Sequence, residues 1–342
     1  MAELDARKRQ ILTLVIREFI QTGEPVGSVT VMQKLPTVVS AATVRNDMAA
    51  LERAGLLTQP HTSAGRVPTS MGYRYYIDQL MQEHKLSDRE MEMVHKAIHL
   101  CTTDPENLVQ SFCESVASFT HLAAMVTMPA PERAVLSQIQ VIRVGRRVVF
   151  AALVTNVGVV KNRSFKTDFD LTDEDLVVLN TFLNAKLCGI PVDELSPAAV
   201  QTMITELGEY ALTLSPLAVA IYLLARDITK SRLFVAGKTN LLHNSGSTLA
   251  TIRLLRLLEN PDLLLKKLSS MPKKACVMLG DEMGALETEG NAVISSPYYI
   301  KGKPAGNLGI LGPERMNYAL LVPYVKYFAY YLGEILSAFY ED

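Results

Sequence analysis

Residues 4 to 82 constrain this chain most, because helix starts, helix stops and one tight polar turn follow one another there in a fixed order. Ile11, Leu12, Val15, Phe19 and Ile20 recur at helical spacing, and Thr22-Gly23-Glu24-Pro25 stops that helix. A second short helix fits Ser28 to about Lys34, ended by Pro36. Ser40 suits the N-cap of a third, Ala41 to Ala54, with Gly55 where a left-handed C-cap is required. Leu56 to Gln59 reads as a short strand, His61 to Gly65 as a polar turn and Arg66-Val67 as the return. Thr69 or Ser70 then caps a fourth helix through Met81.

Three helices followed by a two-stranded hairpin form the winged-helix variant of helix-turn-helix, which lays its third helix in the DNA major groove. In that third helix Val44, Met48 and Leu51 share one face and are expected to pack on helices one and two. The opposite face carries Ala42, Asn46, Ala49, Ala50 and Arg53, flanked by Thr43 and Arg45. Small side chains let a helix backbone sit deep between phosphates. Asn can pair bidentately with adenine and Arg with guanine. Ser40 and Thr43 stand where hydroxyls and free amides can donate to phosphate. In the turn, His61, Thr62, Ser63, Gly65 and Arg66 offer an imidazole, two hydroxyls, a flexible link and a cation on a projecting tip. An ordinary exposed helix and a plain polar turn would carry similar residues; their succession within one small segment favours DNA.

Beyond this head the period changes. Residues 85 to 122 read as helical, with the charged stretch Asp88 to Glu92 marking a solvated connector. Ser137 to Val144 and Arg147 to Thr155 alternate around Gly145 as a hairpin, and Val157 to Lys166 continues as a third strand. Helical spacing resumes from Leu171 to about Thr229. A strand at Leu233 to Ala236, a helix at Ser247 to Leu258, short strands at Ala275 to Leu279, Ala292 to Ser296 and Leu308 to Leu311, and a helix from Arg315 to Phe339 complete the chain. Strands on both sides of a helical block predict an α+β, multidomain protein in which one domain is interrupted by an insertion. The block Tyr210 to Ala225 is apolar on nearly every side, which fits an oligomer interface or a central core.

Composition excludes several classes. Hydrophobic residues make up 49% and charged residues 20% of 342, so disorder is out. No uncharged run reaches the roughly 20 apolar residues of a spanning helix, and the charged start is no signal peptide, which predicts a cytoplasmic protein. Cys101, Cys113, Cys188 and Cys276 lie far apart and are expected to be reduced and buried. A net charge of -1 argues at first against a nucleic-acid binder. Resolved by region, residues 1 to 76 hold nine basic side chains against six acidic ones, a mildly basic head on a mildly acidic body. Few phosphate contacts per protomer are therefore expected.

Other motifs carry less. Gly237-Lys238-Thr239 imitates the end of a P-loop, but Arg232 stands where the phosphate cradle needs glycine. His95, His99 and Cys101 lack the adjacent carboxylate or second cysteine cluster of a metal site. Gly302 to Gly312 reads as turns between short strands. No local catalytic set is visible, so no enzyme and no cofactor are expected.

Several segments together resemble one family. They are Thr22 to Ser28, Ala42 to Met48, Leu51-Glu52, Gly55-Leu56-Leu57, Gln59 to Thr69, Gly72-Tyr73-Arg74, Gly237 to Leu242 and Gly306 to Tyr318. They look like HrcA, the heat-inducible transcription repressors of bacteria, and the likeness spans nearly the whole chain. It implies a winged-helix DNA-binding domain over 1–82, a GAF-like α/β domain over 83–155 and 235–342, and a helical-rich inserted dimerisation domain over 156–234. It further implies a homodimer on double-stranded DNA at an inverted-repeat operator, CIRCE, before chaperone operons, with help from the GroEL chaperonin. Two positions depart from the family pattern: Val29 replaces the usual Arg, and a Gly-x-Glu-Asn pattern is here Gly280-Asp281-Glu282-Met283. The rival expectation is a metabolite-gated winged-helix regulator, which would need converging polar groups in the GAF-like domain.

Overall fold

The computed structural model describes residues 4–61, 64–98, 104–131, 134–168, 170–206, 208, 211–244, 248–269, 271, 274–283 and 290–339. The chain divides into two compact units: Met1–Met128 with Leu233–Asp342, and Pro129–Arg232 between them.

The first unit opens with α1 (Ala6–Thr22), α2 (Ser28–Lys34) and α3 (Ala41–Arg53). A short antiparallel pair follows, β1 (Leu57–Thr58) and β2 (Val67–Pro68), with Leu57 opposite Pro68. Next is α4 (Ser70–Tyr75), which runs into one π-helical turn, Tyr76–Leu80. Side-chain caps start α1 and α4: the Lys8 amide donates to Asp5 Oδ1 at 2.8 Å and the Gly72 amide to Thr69 Oγ1 at 3.0 Å. At the end of α3 the Leu56 amide reaches the Leu51 carbonyl and the Gly55 amide the Glu52 carbonyl, with Gly55 at φ +75°, so the helix closes in a Schellman turn. Ile11, Leu12, Val15, Ile16, Val44, Met48, Leu51 and Leu57 are buried together beneath.

The connector holds α5 (Asp88–Ala97), started by a Ser87–Glu90 capping box, and α6 (Pro105–Thr120), and it leads to β3 (Ala123–Met128). The second unit then begins with the meander β4 (Leu136–Gly145), β5 (Val148–Thr155) and β6 (Val160–Lys166). Against it lie α7 (Asp173–Leu187), α8 (Pro197–Glu206) and α9 (Ala211–Ile228). The insertion therefore starts ahead of β4, at Pro129, rather than at 156, and ends at Arg232 rather than 234. The cause is strand pairing: β4 and β5 bond to each other and to β6, so the hairpin expected in the 83–155 segment belongs to the inserted unit.

Two asparagines one helical turn apart seal the outer edge of β4. Asn184 accepts from the Ile139 amide at 3.0 Å and donates to its carbonyl at 2.7 Å; Asn180 does the same to Val141, both at 2.8 Å. α7 thus acts as a surrogate strand on an edge that would otherwise offer itself to another chain. Changing both residues to leucine removes the four hydrogen bonds to β4, of about 1 kcal/mol each, and is expected to cost roughly 2 to 4 kcal/mol, with greater self-association. Thermal denaturation and light scattering check this; an unchanged melting temperature contradicts it.

The first unit resumes with β7 (Arg232–Ala236), α10 (Asn240–Asn244), α11 (Thr248–Leu258) and α12 (Pro261–Ser269). It closes with β8 (Cys276–Leu279), β9 (Asn291–Ile300), β10 (Lys303–Pro313) and α13 (Tyr318–Phe339). The sheet order is β7-β3-β10-β9-β8. Helices cover both of its faces. Ala124, Val126, Ile294 and Ile310 join the core of α6 and α13, whereas Ala123, Met125, Val293 and Leu311 meet Leu254, Leu257, Leu264 and Leu268 from α11 and α12. β3 is a central strand of this sheet that periodicity did not reveal. Cys113 is buried, and burial pushes its thiol up to about 12; Cys188 and Cys276 are half-buried with thiols raised by the same cause, and Cys101 lies outside the described residues. Among the described residues no helix is long and apolar enough to cross a membrane.

Candidate nucleic-acid interface

The outward face of α3 is built by what the helix buries on its other side. Val44, Met48 and Leu51 fix its rotation in the head core, which leaves Ala42, Arg45, Asn46 and Arg53 exposed and Thr43, Ala49 and Ala50 half-buried. The side chains of Arg45, Asn46 and Arg53 make no hydrogen bond or ion pair within the described residues, so their donors face solvent. Ser40 caps the helix: its Oγ accepts from the Thr43 amide at 3.1 Å and lies 2.9 Å from Thr43 Oγ1. The two hydroxyls sit together at the positive end of the helix dipole, a suitable place for an anion.

An acidic residue that the pattern did not single out holds this helix in place. Asp47 is only 7% exposed, and Arg7 from α1 donates to its two oxygens at 2.7 and 3.4 Å. The Asp47 hydrogen bond raises the Arg7 pKa above its usual value. A carboxylate in mid-helix reads as surface in the sequence, and only the fold brings Arg7 to it.

The hairpin differs from the expected free tip. Its base is tied to the segment between α1 and α2 by a two-way backbone bridge, Val26 N to Arg66 O and Arg66 N to Val26 O, each 2.9 Å. Arg66 is half-buried, and its Nε donates to Glu52 Oε2 on α3 at 3.0 Å. The cation thus links hairpin to helix instead of projecting from the tip. His61 is exposed at the turn, and Gln59 Nε2 donates across it to the Ala64 carbonyl at 3.0 Å. Thr62 and Ser63 lie outside the described residues. Val29, in the first turn of α2, is 51% exposed.

Gly65 allows the bridge to Val26. A Cβ there would sit 2.4 Å from the Val26 carbonyl carbon and oxygen. Gly65→Val is expected to push the hairpin off the α1–α2 segment and destabilise the head by roughly 1 to 3 kcal/mol. Faster hydrogen exchange at the Val26 amide is the sign to look for, and unaltered protection would contradict the close-approach argument.

The other motifs have structural places. His95 stacks on Tyr331 at 4.3 Å between ring centres, and its Nε2 lies 2.8 Å from the Tyr327 hydroxyl; His99 and Cys101 lie outside the described residues. The turn after β7 is pinned by Asn240, which donates to the Ala117 and Leu122 carbonyls at 3.1 Å each. An open concavity lined by Arg143, Gly145, Arg146 and Asp170 lies in the inserted unit, where Asp170 already pairs with Arg146 and Arg147.

Residues 106–322 match the family model of the HrcA protein C terminal domain. A heat-inducible transcription repressor HrcA from Carboxydothermus hydrogenoformans is 32% identical over 336 residues, 98% of either chain. One from Acetivibrio thermocellus is 32% identical over 329 residues, covering 95% of this chain and 94% of its own, and one from Syntrophobacter fumaroxidans is 31% identical over 348 residues and the full length of both. A crystal structure described as that of a hypothetical protein superimposes with a TM-score of 0.65 at 25% identity, over 98% of this chain and 100% of the other. The three sequence relatives are, by name, heat-inducible transcription repressors. The chain belongs to their family, HrcA.

Proposed function

We propose that the protein is a homodimeric, sequence-specific repressor of chaperone operons, in which the head is a winged helix whose α3 reads the major groove of an inverted-repeat CIRCE operator. The observation that carries this is the outward face of α3: Ala42, Arg45, Asn46 and Arg53 are exposed on a helix whose rotation the core and the Arg7–Asp47 pair both fix. With the rotation of the helix fixed in advance, only the side-chain rotamers remain to be ordered on reading a base. The five-stranded sheet with its helices on both faces serves as the GAF-like body. Dimerisation through the inserted unit is supported by α9, where Val219 and Leu223, one turn apart, are 41% and 53% exposed while Leu217, Ile221 and Leu224 fill the core. A two-fold dimer presents two reading helices to two half-sites. What supports the GroEL chaperonin as a partner is the family likeness.

Arg66→Ala separates a positioning role from a phosphate contact. Loss of a guanidinium that also neutralises a phosphate is expected to weaken binding to operator and random DNA alike and to make the salt slope smaller by about 1. A loss confined to the operator, with the slope intact, shows that Arg66 acts only by holding α3.

Hydroxyl-radical footprinting tests the reading as a whole. Protection is expected in two patches symmetric about the centre of the repeat; protection of one half alone, or of neither, contradicts it.

A further inference from the structure

We propose that Ser70 and Arg74 on α4, gripping Glu314 and Glu282 on the sheet body, form a clasp that sets the angle of the head and thereby the half-site spacing a dimer accepts. The inference rests on the DNA-reading function above and concerns its geometry rather than its base contacts.

The clasp has two points on one helix face. Ser70 and Arg74 are four residues apart and so lie one above the other on α4. Ser70 Oγ lies 3.0 and 3.1 Å from the two carboxylate oxygens of Glu314, just beyond β10. Arg74 Nε donates to Glu282 Oε1 at 2.7 Å, one of its terminal nitrogens reaches both Glu282 Oε2 and the Val277 carbonyl, the latter at 2.8 Å, and the other reaches Asp78 at 3.3 Å. A planar guanidinium fork specifies orientation as well as distance. The far end is rigid as well, because Glu282 Oε2 also accepts from the Leu279 amide at 2.9 Å, which ties it to β8.

Between the two points lies an aromatic contact without a polar bond of its own across the junction. Tyr73 meets Tyr318 edge to face at 5.9 Å, both buried, and the Tyr318 hydroxyl donates to the Glu314 carbonyl at 2.6 Å. The Tyr73 hydroxyl is buried without a hydrogen-bond partner. That ring contributes packing but no polar restraint, so direction comes from the pairs on either side of it. The clasp residues leave the outward face of α3 untouched, which separates orientation from base reading. Glu282 belongs to the segment Gly280-Asp281-Glu282-Met283, whose carboxylate thereby acquires a role.

The test compares wild type with a Ser70→Ala/Glu282→Gln double variant, by fluorescence anisotropy, on three kinds of duplex: a single half-site, the full inverted repeat, and repeats with the spacer lengthened or shortened by two base pairs. Wild type is expected to lose affinity sharply when the spacer changes. The variant is expected to bind the half-site as wild type does, to lose about tenfold on the full repeat and to show a flattened spacer profile, since simultaneous engagement depends on geometry. Arg74→Lys, which keeps the charge but not the fork, gives a second and milder variant should the first lose half-site binding through misfolding; it is expected to flatten the profile partially. An unchanged spacer profile in a variant with intact half-site binding overturns the clasp. Wild-type protein that binds no duplex overturns the DNA-reading function, and the clasp with it.

Discussion

Alanine at Arg45 or Asn46 is expected to weaken binding to the inverted repeat at least tenfold while leaving fold and oligomeric state unchanged. Each residue is exposed on α3, so neither substitution opens a cavity or orphans a buried group. A bidentate side-chain contact to a base is worth about 1 to 3 kcal/mol of discrimination, and a symmetric dimer makes each contact twice. The loss should therefore fall on the operator and leave binding to random DNA nearly as it was. Anisotropy titrations on the two duplexes measure this directly. Equal affinity of variant and wild type for the operator would remove the residue from the reading face.

The second large effect is expected on α9. Leu223→Glu places a charge at a half-exposed apolar position beside Val219, on the face that the inserted unit turns to solvent. If a second copy covers that face, the buried charge should break the dimer, and light scattering should give the mass of one 342-residue chain. Affinity for the full repeat should then collapse towards that for a half-site, a loss on the order of a hundredfold. Because the position is open to solvent in the single chain, the melting temperature of the monomer should change little. A dimer that survives Leu223→Glu places the interface elsewhere.

Legibility in the sequence followed the range of the interactions. Helix α3 was plain because its signals are local: a Ser40 cap, apolar residues at helical spacing and Gly55 at the turn. Asp47 was hidden, since its partner Arg7 is 40 residues away and nothing local marks a mid-helix carboxylate as buried. The same limit applies to Arg66, whose link to Glu52 depends on how the hairpin folds back on α3. β3 escaped notice because a strand covered on both faces has no polar alternation to betray it. The hairpin and third strand of the inserted unit were legible, yet the unit they belong to was not, for local alternation and a turn glycine show that strands pair without showing which core they cover. The clasp combines both limits: Ser70 and Glu314 are 244 residues apart, and only the packing of α4 on the sheet body brings them together.

The charge distribution bears on how the central claim is best tested. On the proposed function, a head with nine basic and six acidic residues in its first 76 is expected to make few phosphate contacts, so operator affinity would come from base readout and from two heads acting together. The decisive measurement is the ratio of affinities for the inverted repeat and for a scrambled duplex of equal length, taken at low and at physiological salt. The account predicts a ratio of about a thousand or more that persists as salt rises, with a shallow salt slope for each duplex. Equal affinity for the two duplexes, falling together as salt rises, would contradict it.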